Sequence, residues 1–272
     1  MSGRMRRLVR LSAVGALMMA AAGSGTAAAD DVAARDLMTR VAARAEPARM
    51  MTTVQFELQA RNGDVQARTA TLYRLIGNDY KKIAMYFSLP RGIRGSSFLS
   101  WNGQAPGFED DQWLYVPALR RVRRVPIRER GQAFLGTDLS YGDISLVAKL
   151  DPEEWRFESI EPGEGTTRVV TASARDADIV RETGYSRARW TVDTARDFPS
   201  QSEYWDAQGE PLKRVAYSDI ELRDGTWSAD RIHVENFKTG HRTRLHLTEV
   251  RVNAAATFAD DLLESAQLGR GP

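Results

Sequence analysis

The chain has 272 residues, no cysteine, and 38 basic against 36 acidic side chains. The missing thiol excludes disulfides, thiolate metal sites, cysteine nucleophiles and a lipidated cysteine tether. Near-neutral charge excludes a nucleic-acid footprint, and the length is ample for one large core.

Arg4, Arg6, Arg7 and Arg10 precede a short apolar run, Leu11 to Ala22, and Thr26-Ala27-Ala28-Ala29 offers the small residues that a signal peptidase cuts. The apolar run is shorter than the roughly twenty residues of a membrane-spanning helix. Residues 1–29 therefore read as a secretory leader and 30–272 as one mature domain of the periplasm. Losing the leader removes four arginines and no acid, which leaves 34 basic and 36 acidic side chains. The mature domain is slightly acidic.

Val32 to Arg44 places Val32, Leu37, Met38 and Val41 near one face, which predicts an amphipathic helix that ends before Pro47. The period then changes from 3.6 to two. Val54, Phe56, Leu58 and Ala60 alternate with polar residues up to a turn at Asn62-Gly63-Asp64, and Ile83, Met85 and Phe87 repeat the pattern. So do Ala188, Trp190 and Val192, and Ile232 with Val234. The body reads as a run of antiparallel strands. Leu245 and Leu247 slip phase against Val250 and Val252, which predicts a bulge near Thr248 and Glu249; Val215 and Tyr217 against Ile220 and Leu222 predict another. Repeated bulges coil a sheet, so the expected sheet is strongly curved. Between the strands, Arg128 to Phe134 reads as polar with one exposed aromatic. Asp138 or Ser140 is placed to cap a short helix lying across the sheet, and Phe258 to Leu263 to form a closing helical turn.

Catalytic patterns are sparse. His241 and His246 differ by an odd number, so they face opposite sides of a strand, and His233 stands apart. No G-x-S-x-G elbow and no glycine-rich phosphate loop occur. Glu109-Asp110-Asp111 lacks the alternating ligand spacing of a calcium loop and reads as a solvated turn. Binding is the expected activity, with no enzyme function, no cofactor, no metal and no nucleic-acid partner.

The stretch Trp113-Leu114-Tyr115-Val116-Pro117-Ala118-Leu119 runs into Arg120, Arg121, Arg123 and Arg124, and is followed by Phe134-Leu135-Gly136-Thr137-Asp138-Leu139-Ser140-Tyr141. This block, with Arg130-Gly131 before its second part and Gly142-Asp143 completing it, resembles the signature of the outer-membrane lipoprotein-sorting protein family. The resemblance implies a mainly β fold with covering helices: a strongly curved antiparallel sheet forming an incomplete barrel with a helical lid. It also implies a periplasmic carrier of lipid or lipoprotein acyl chains that makes transient contact with a membrane and works with an inner-membrane transporter. A sensor of the same fold that binds lipid without transporting it is the alternative. Phe56, Met85, Phe87 and Trp190 are the candidates for the cavity wall, although a packed core would read the same way. Arg120, Arg121, Arg123 and Arg124 are the candidates for contact with anionic headgroups or an acidic partner; the competing reading is a solvated hairpin whose charges discourage edge pairing.

Intact-mass measurement of the exported protein should give a chain that begins at or near Asp30, in the periplasmic fraction. A retained N-terminus, or a product extracted only by detergent, would contradict the leader.

Overall fold

The computed structural model describes residues 24–105, 107–148 and 150–272. The basic start of the predicted leader and its apolar run lie outside the described residues. Helix α1 (Ser24–Ala42) leads into six strands: β1 (Arg49–Gln59), β2 (Val65–Ile76), β3 (Tyr80–Leu89), β4 (Ser97–Gly103), β5 (Asp111–Val116) and β6 (Arg121–Arg124). A segment containing α2 (Tyr141–Ala148) follows. Then come β7 (Trp155–Pro162), β8 (Thr167–Ala174), α3 (Ala177–Thr183), β9 (Arg187–Asp193), β10 (Phe198–Trp205), β11 (Pro211–Arg223), β12 (Thr226–Asn236) and β13 (Arg242–Val252).

The thirteen strands form one antiparallel sheet in the order β6-β5-β4-β3-β2-β1-β13-β12-β11-β10-β9-β8-β7. The chain starts at the centre of the sheet, meanders to one edge, and returns from the other edge until β13 pairs with β1. Strands β6 and β7 are the two edges and do not pair with each other, so the barrel is incomplete. Register shifts interrupt the β1–β13, β2–β3, β7–β8, β9–β10 and β10–β11 ladders, and each adds local bend and twist. The predicted bulge in β13 is present. Met51 pairs with Arg251 but Thr53 with Thr248, and the extra residue is accommodated at Glu249, φ 53°. The second predicted bulge is not: β11 keeps one register against β12 from Ser218 to Ile220, and the backbone instead turns through a left-handed Asp219, φ 52°.

Both faces of the sheet are covered, by different devices. On the concave face α1 packs against β7 through Ala34, Leu37, Met38 and Val41, the i, i+3, i+4, i+7 stripe of an amphipathic helix. Val32, expected on that stripe, is exposed, because the buried face rotates onto Ala34. On the convex face the last residues lie over β2 to β5. Tyr86 Oη donates to the Leu262 carbonyl at 2.8 Å, Trp101 Nε1 to that of Leu263 at 2.9 Å, and Ser97 Oγ to that of Leu268 at 2.6 Å. The predicted closing turn is there, as a 3-10 turn over Asp260–Leu263. Strand β3 is thereby buried on both faces and loses the two-period pattern of a half-exposed strand.

The rest of the concave face is closed by the segment between the edge strands. Ser140 caps α2: its Oγ accepts from the Asp143 amide at 3.0 Å, while the Asp143 carboxylate accepts from the Ser140 amide. This reciprocal arrangement is a capping box with Asp at the third position. Just before it, Phe134 is fully buried. Its ring meets Phe98 at 5.0 Å, Tyr141 at 5.5 Å and Phe87 at 6.1 Å. The expectation of an exposed aromatic here is therefore overturned: Phe134 is the plug that the concave face of β3 and β4 needs. Replacing Phe134 with Ala should lower stability by about 3–5 kcal/mol in urea unfolding, as for a large core aromatic. A loss below about 1 kcal/mol would mean that the segment is not packed there.

Candidate functional site

The crossing segment is held by polar contacts at several points. Asp143 and Lys213 form a buried ion pair, and the Tyr185 hydroxyl donates to the same carboxylate. The Lys213 ammonium also lies 5.1 Å from the centroid of the Tyr185 ring. Burial first, and then the Asp143 charge, push the Tyr185 phenol well above its ordinary range, so it stays a donor. Thr243 of β13 accepts from the Asp138 amide at 3.0 Å and donates to its carboxylate at 2.8 Å, and Arg68 of β2 donates to the Leu135 carbonyl. Sequence reasoning placed Asp138 and Ser140 at a cap and Asp143 at the end of the family-like block, but missed the pairing of Asp143 with Lys213. The two lie 70 residues apart, and no local pattern announces that contact.

Where α1 ends, the concave face is not filled. A cavity of about 350 Å³ is lined on one side by Trp190, Phe198, Tyr204 and Tyr217 of β9 to β11, with Val41 of α1 beside them. Tyr204 is fixed by stacking on Tyr185 at 4.4 Å, and Trp190 by an edge contact with Trp155 at 5.1 Å. The other end of the cavity is polar: Arg44, Glu46, Lys81 and Gln104 line it. Arg74 reaches Glu46 at 3.3 Å, Arg44 reaches it at 3.8 Å, and the Lys81 ammonium donates to it. Burial alone would raise the Glu46 carboxyl, but the fields of Lys81, Arg74 and Arg44 outweigh it and hold the group below its usual range. Lys81 is brought down to about 8, burial again being the larger effect and Glu46 opposing it.

Of the residues expected on a cavity wall, only Trp190 borders this space. Phe56 borders a second groove of about 480 Å³, together with Arg68, Ile232 and Leu245. Met85 and Phe87 are on the concave face but lie in the packed cluster with Phe134, and Phe56 and Phe87 are in ring contact at 5.7 Å. The concave side chains of one sheet are thus divided between open space and core. Tyr204, Tyr217 and Phe198 were not assigned to a cavity wall from the sequence; Tyr204 and Tyr217 share the face of Trp190 through the β9–β10–β11 register, whereas Phe198 lies beyond the register shift between Pro199 and Gln201, where parity is lost.

The basic hairpin is divided as well. Arg124 pairs with Asp111, and Arg123 donates to Glu129 at 2.7 Å. Arg120 and Arg121 have no carboxylate partner among the described residues and stand exposed beside Leu119 and Val122. Asp110 accepts from the Gly103 amide at 2.8 Å, so two carboxylates of the acidic turn already have partners. No cluster of metal-ligating side chains is found among the described residues. The His233 imidazole is held below its ordinary range, first by burial and then by Arg244. No described helix is long and apolar enough to cross a membrane.

The open, curved antiparallel sheet is an incomplete barrel of the kind found in a lipoprotein-sorting domain. Residues 79–270 match the model of a family described as "uncharacterized protein", DUF1329, and the chain belongs to that family. A domain of the outer membrane lipoprotein-sorting type from Vibrio parahaemolyticus is 26% identical, with a TM-score of 0.75 over 87% of this chain and 98% of its own. A DUF1329 family protein from Desulfovibrio piger is 23% identical, with a TM-score of 0.77 over 88% and 99%. A LolA superfamily protein from Nitrosomonas europaea is 16% identical, with a TM-score of 0.62 over 86% and 97%, and it shares the fold. No curated protein matches the sequence. The expected half-barrel and the resemblance to the lipoprotein-sorting family both hold.

Replacing Glu46 with Gln removes the carboxylate on which Arg44, Arg74 and Lys81 converge and should cost about 3 kcal/mol in urea unfolding at neutral pH. The native carboxyl has a lowered pKa, so its contribution is complete above the unfolded value near 4.5 and is lost as pH falls through the lower folded value. Wild type and variant should therefore converge in acid. A gap that persists under full protonation would place the effect elsewhere.

Proposed function

We propose that the protein is a periplasmic carrier that shields an acyl chain of a lipid or lipoprotein in the cavity under α1 and passes it between membranes or to and from an inner-membrane transporter. The supporting observation is the cavity itself, with aromatic walls and one polar end, in a fold shared with lipoprotein-sorting domains. Each methylene exposed to water costs about 0.8 kcal/mol, so a chain of about sixteen carbons faces a barrier of roughly 12 kcal/mol to crossing water alone. A carrier lowers that barrier by covering the chain while leaving it releasable. At about 350 Å³ the space is near the lower end of ordinary ligand pockets, suited to one chain.

The exposed pair Arg120 and Arg121, flanked by Leu119 and Val122 on the edge hairpin, is the surface for transient contact with anionic headgroups or an acidic transporter surface. Exchanging both arginines for Gln should weaken binding to anionic vesicles, and the loss should shrink as salt rises. The same exchange at Arg123 and Arg124, which have carboxylate partners, should matter less. Equal effects from the two pairs, or none from either, would return the hairpin to a solvated edge.

Transfer of a fluorescent phospholipid between donor and acceptor vesicles tests the carrier role. Wild-type protein should accelerate it, and Ser202→Phe, which builds a ring into the cavity, should abolish the acceleration while thermal unfolding shows an intact fold. Binding without transfer would favour the sensor, and neither would remove the lipid reading.

A further inference from the structure

The cations at the polar end of the cavity are engaged with Glu46, so their charge does not by itself select a ligand. The same lining also carries neutral hydrogen-bonding groups, on β10 and β11. Ser202 lies opposite Trp190 and Val215, and Tyr204 opposite Ala188 and Lys213, so Ser202 and Tyr204 share the face of Trp190. Tyr217, two residues past Val215, shares it too. All four of Trp190, Ser202, Tyr204 and Tyr217 line the cavity. A wall for hydrocarbon alone needs none of these hydroxyls.

The Tyr204 hydroxyl has the Ser202 hydroxyl and the Trp190 indole N–H beside it. An indole N–H only donates, so it makes the Tyr204 oxygen an acceptor and leaves the Tyr204 O–H to donate. The Tyr217 ring is held by an edge contact with Phe198, 6.1 Å between centroids. Its hydroxyl has no hydrogen-bond partner among the described residues, and it is not sealed within packed atoms. It therefore meets whatever fills the cavity. A phenol pressed against methylenes alone loses its hydration and gains no partner, which disfavours a plain alkyl chain at this point.

We infer that Tyr217 and Tyr204 form a specificity site for the carbonyl oxygen of an acyl ester or amide, seated against their hydroxyls while the chain runs along Trp190, Phe198 and Val41. The inference rests on the carrier reading and narrows its ligand from any alkyl chain to an acyl one. A carbonyl oxygen has two lone pairs and accepts from both phenols at once. A site built to hydrogen-bond rejects an analogue that lacks the partner far more strongly than an apolar pocket rejects an extra methylene. The linkage, not the chain length, is what these residues read.

The donors keep their protons through the working range. Tyr217 is pushed up to about 12, first by burial and then by the Asp143 charge, with Arg44 opposing. Tyr204 is raised further, again by burial first and then by the neighbouring Tyr217 phenol. Neutral donors and a neutral ligand give a preference that is flat between about pH 6 and about pH 9. A preference read by Lys81, brought down to about 8, would change across that range.

The test compares 1-palmitoylglycerol with 1-O-hexadecylglycerol, which differ only in the carbonyl, by displacement of a neutral fluorescent lipid from the whole protein. The ester should bind about tenfold more tightly, as for one or two hydrogen bonds made in a site shielded from water. Tyr217→Phe and, separately, Tyr204→Phe keep the rings and should each remove most of that preference, while the ether binds at least as well as before, which also reports an intact fold. Equal binding of ester and ether, a preference that survives both variants, or one that changes with pH as Lys81 titrates, would overturn the inference and leave the carrier reading standing. Hexadecanoic and 3-hydroxyhexadecanoic acid distinguish the other source of a neutral oxygen. A gain from the hydroxyl that Tyr217→Phe removes, with no ester preference, would assign the phenols to a hydroxylated chain and overturn the carbonyl seat. If none of the four lipids binds, the carrier reading falls and this inference with it.

Discussion

A curved sheet thirteen strands wide must have its concave face covered, and one nineteen-residue helix is too narrow to do it. The rest of the molecule follows from that constraint. Because β1 and β13 pair at the centre, the two edges of the sheet are consecutive in the chain, and the link between them has to cross the open side. That link supplies the second half of the cover. It brings Phe134 against Phe87 and Phe98, and it is pinned by Asp143 to Lys213 and Tyr185. A buried ion pair of this kind adds little net stability, but removing one partner is costly, so it specifies one position for the crossing segment. What α1 and the link leave uncovered becomes the cavity.

The distribution of polarity under this cover separates a packed core from an open cavity. Over β3 and β4 the aromatic rings meet one another and no space remains. Near the end of α1 the rings of β9 to β11 face space instead, with buried charges beyond it. Those charges contribute poorly to folding on their own account.

Much of the architecture was legible in local pattern. Two-period runs at Val54 to Ala60 and at Ala188 to Val192 are strands because one face is buried, and the phase slip at Thr248 and Glu249 is a bulge because one extra residue must be absorbed. The similar slip in β11 is resolved by a left-handed Asp219 without loss of register, and hydropathy alone does not tell the two solutions apart. Phe134 read as exposed because its sequence neighbours are polar, whereas its packing partners come from β3 and β4. The site was less legible than the fold. Phe56, Met85, Phe87 and Trp190 all point to the concave side, and only the path of the crossing segment decides which of them it covers. The cationic end was missed entirely: Arg44, Glu46, Arg74 and Lys81 come from three separate elements, and single charged residues on strands ordinarily read as solvated.

A half-barrel roofed in this way has the properties required of a lipid chaperone: an apolar interior that is not closed by covalent links, a cover held by a few polar pins, and an exposed basic edge. Native mass spectrometry of the gently purified protein tests the central claim most directly. The account predicts a population carrying one noncovalent adduct of lipid mass, released by mild activation to leave the bare chain. A uniformly adduct-free protein that also stays adduct-free after incubation with lipid vesicles would contradict it.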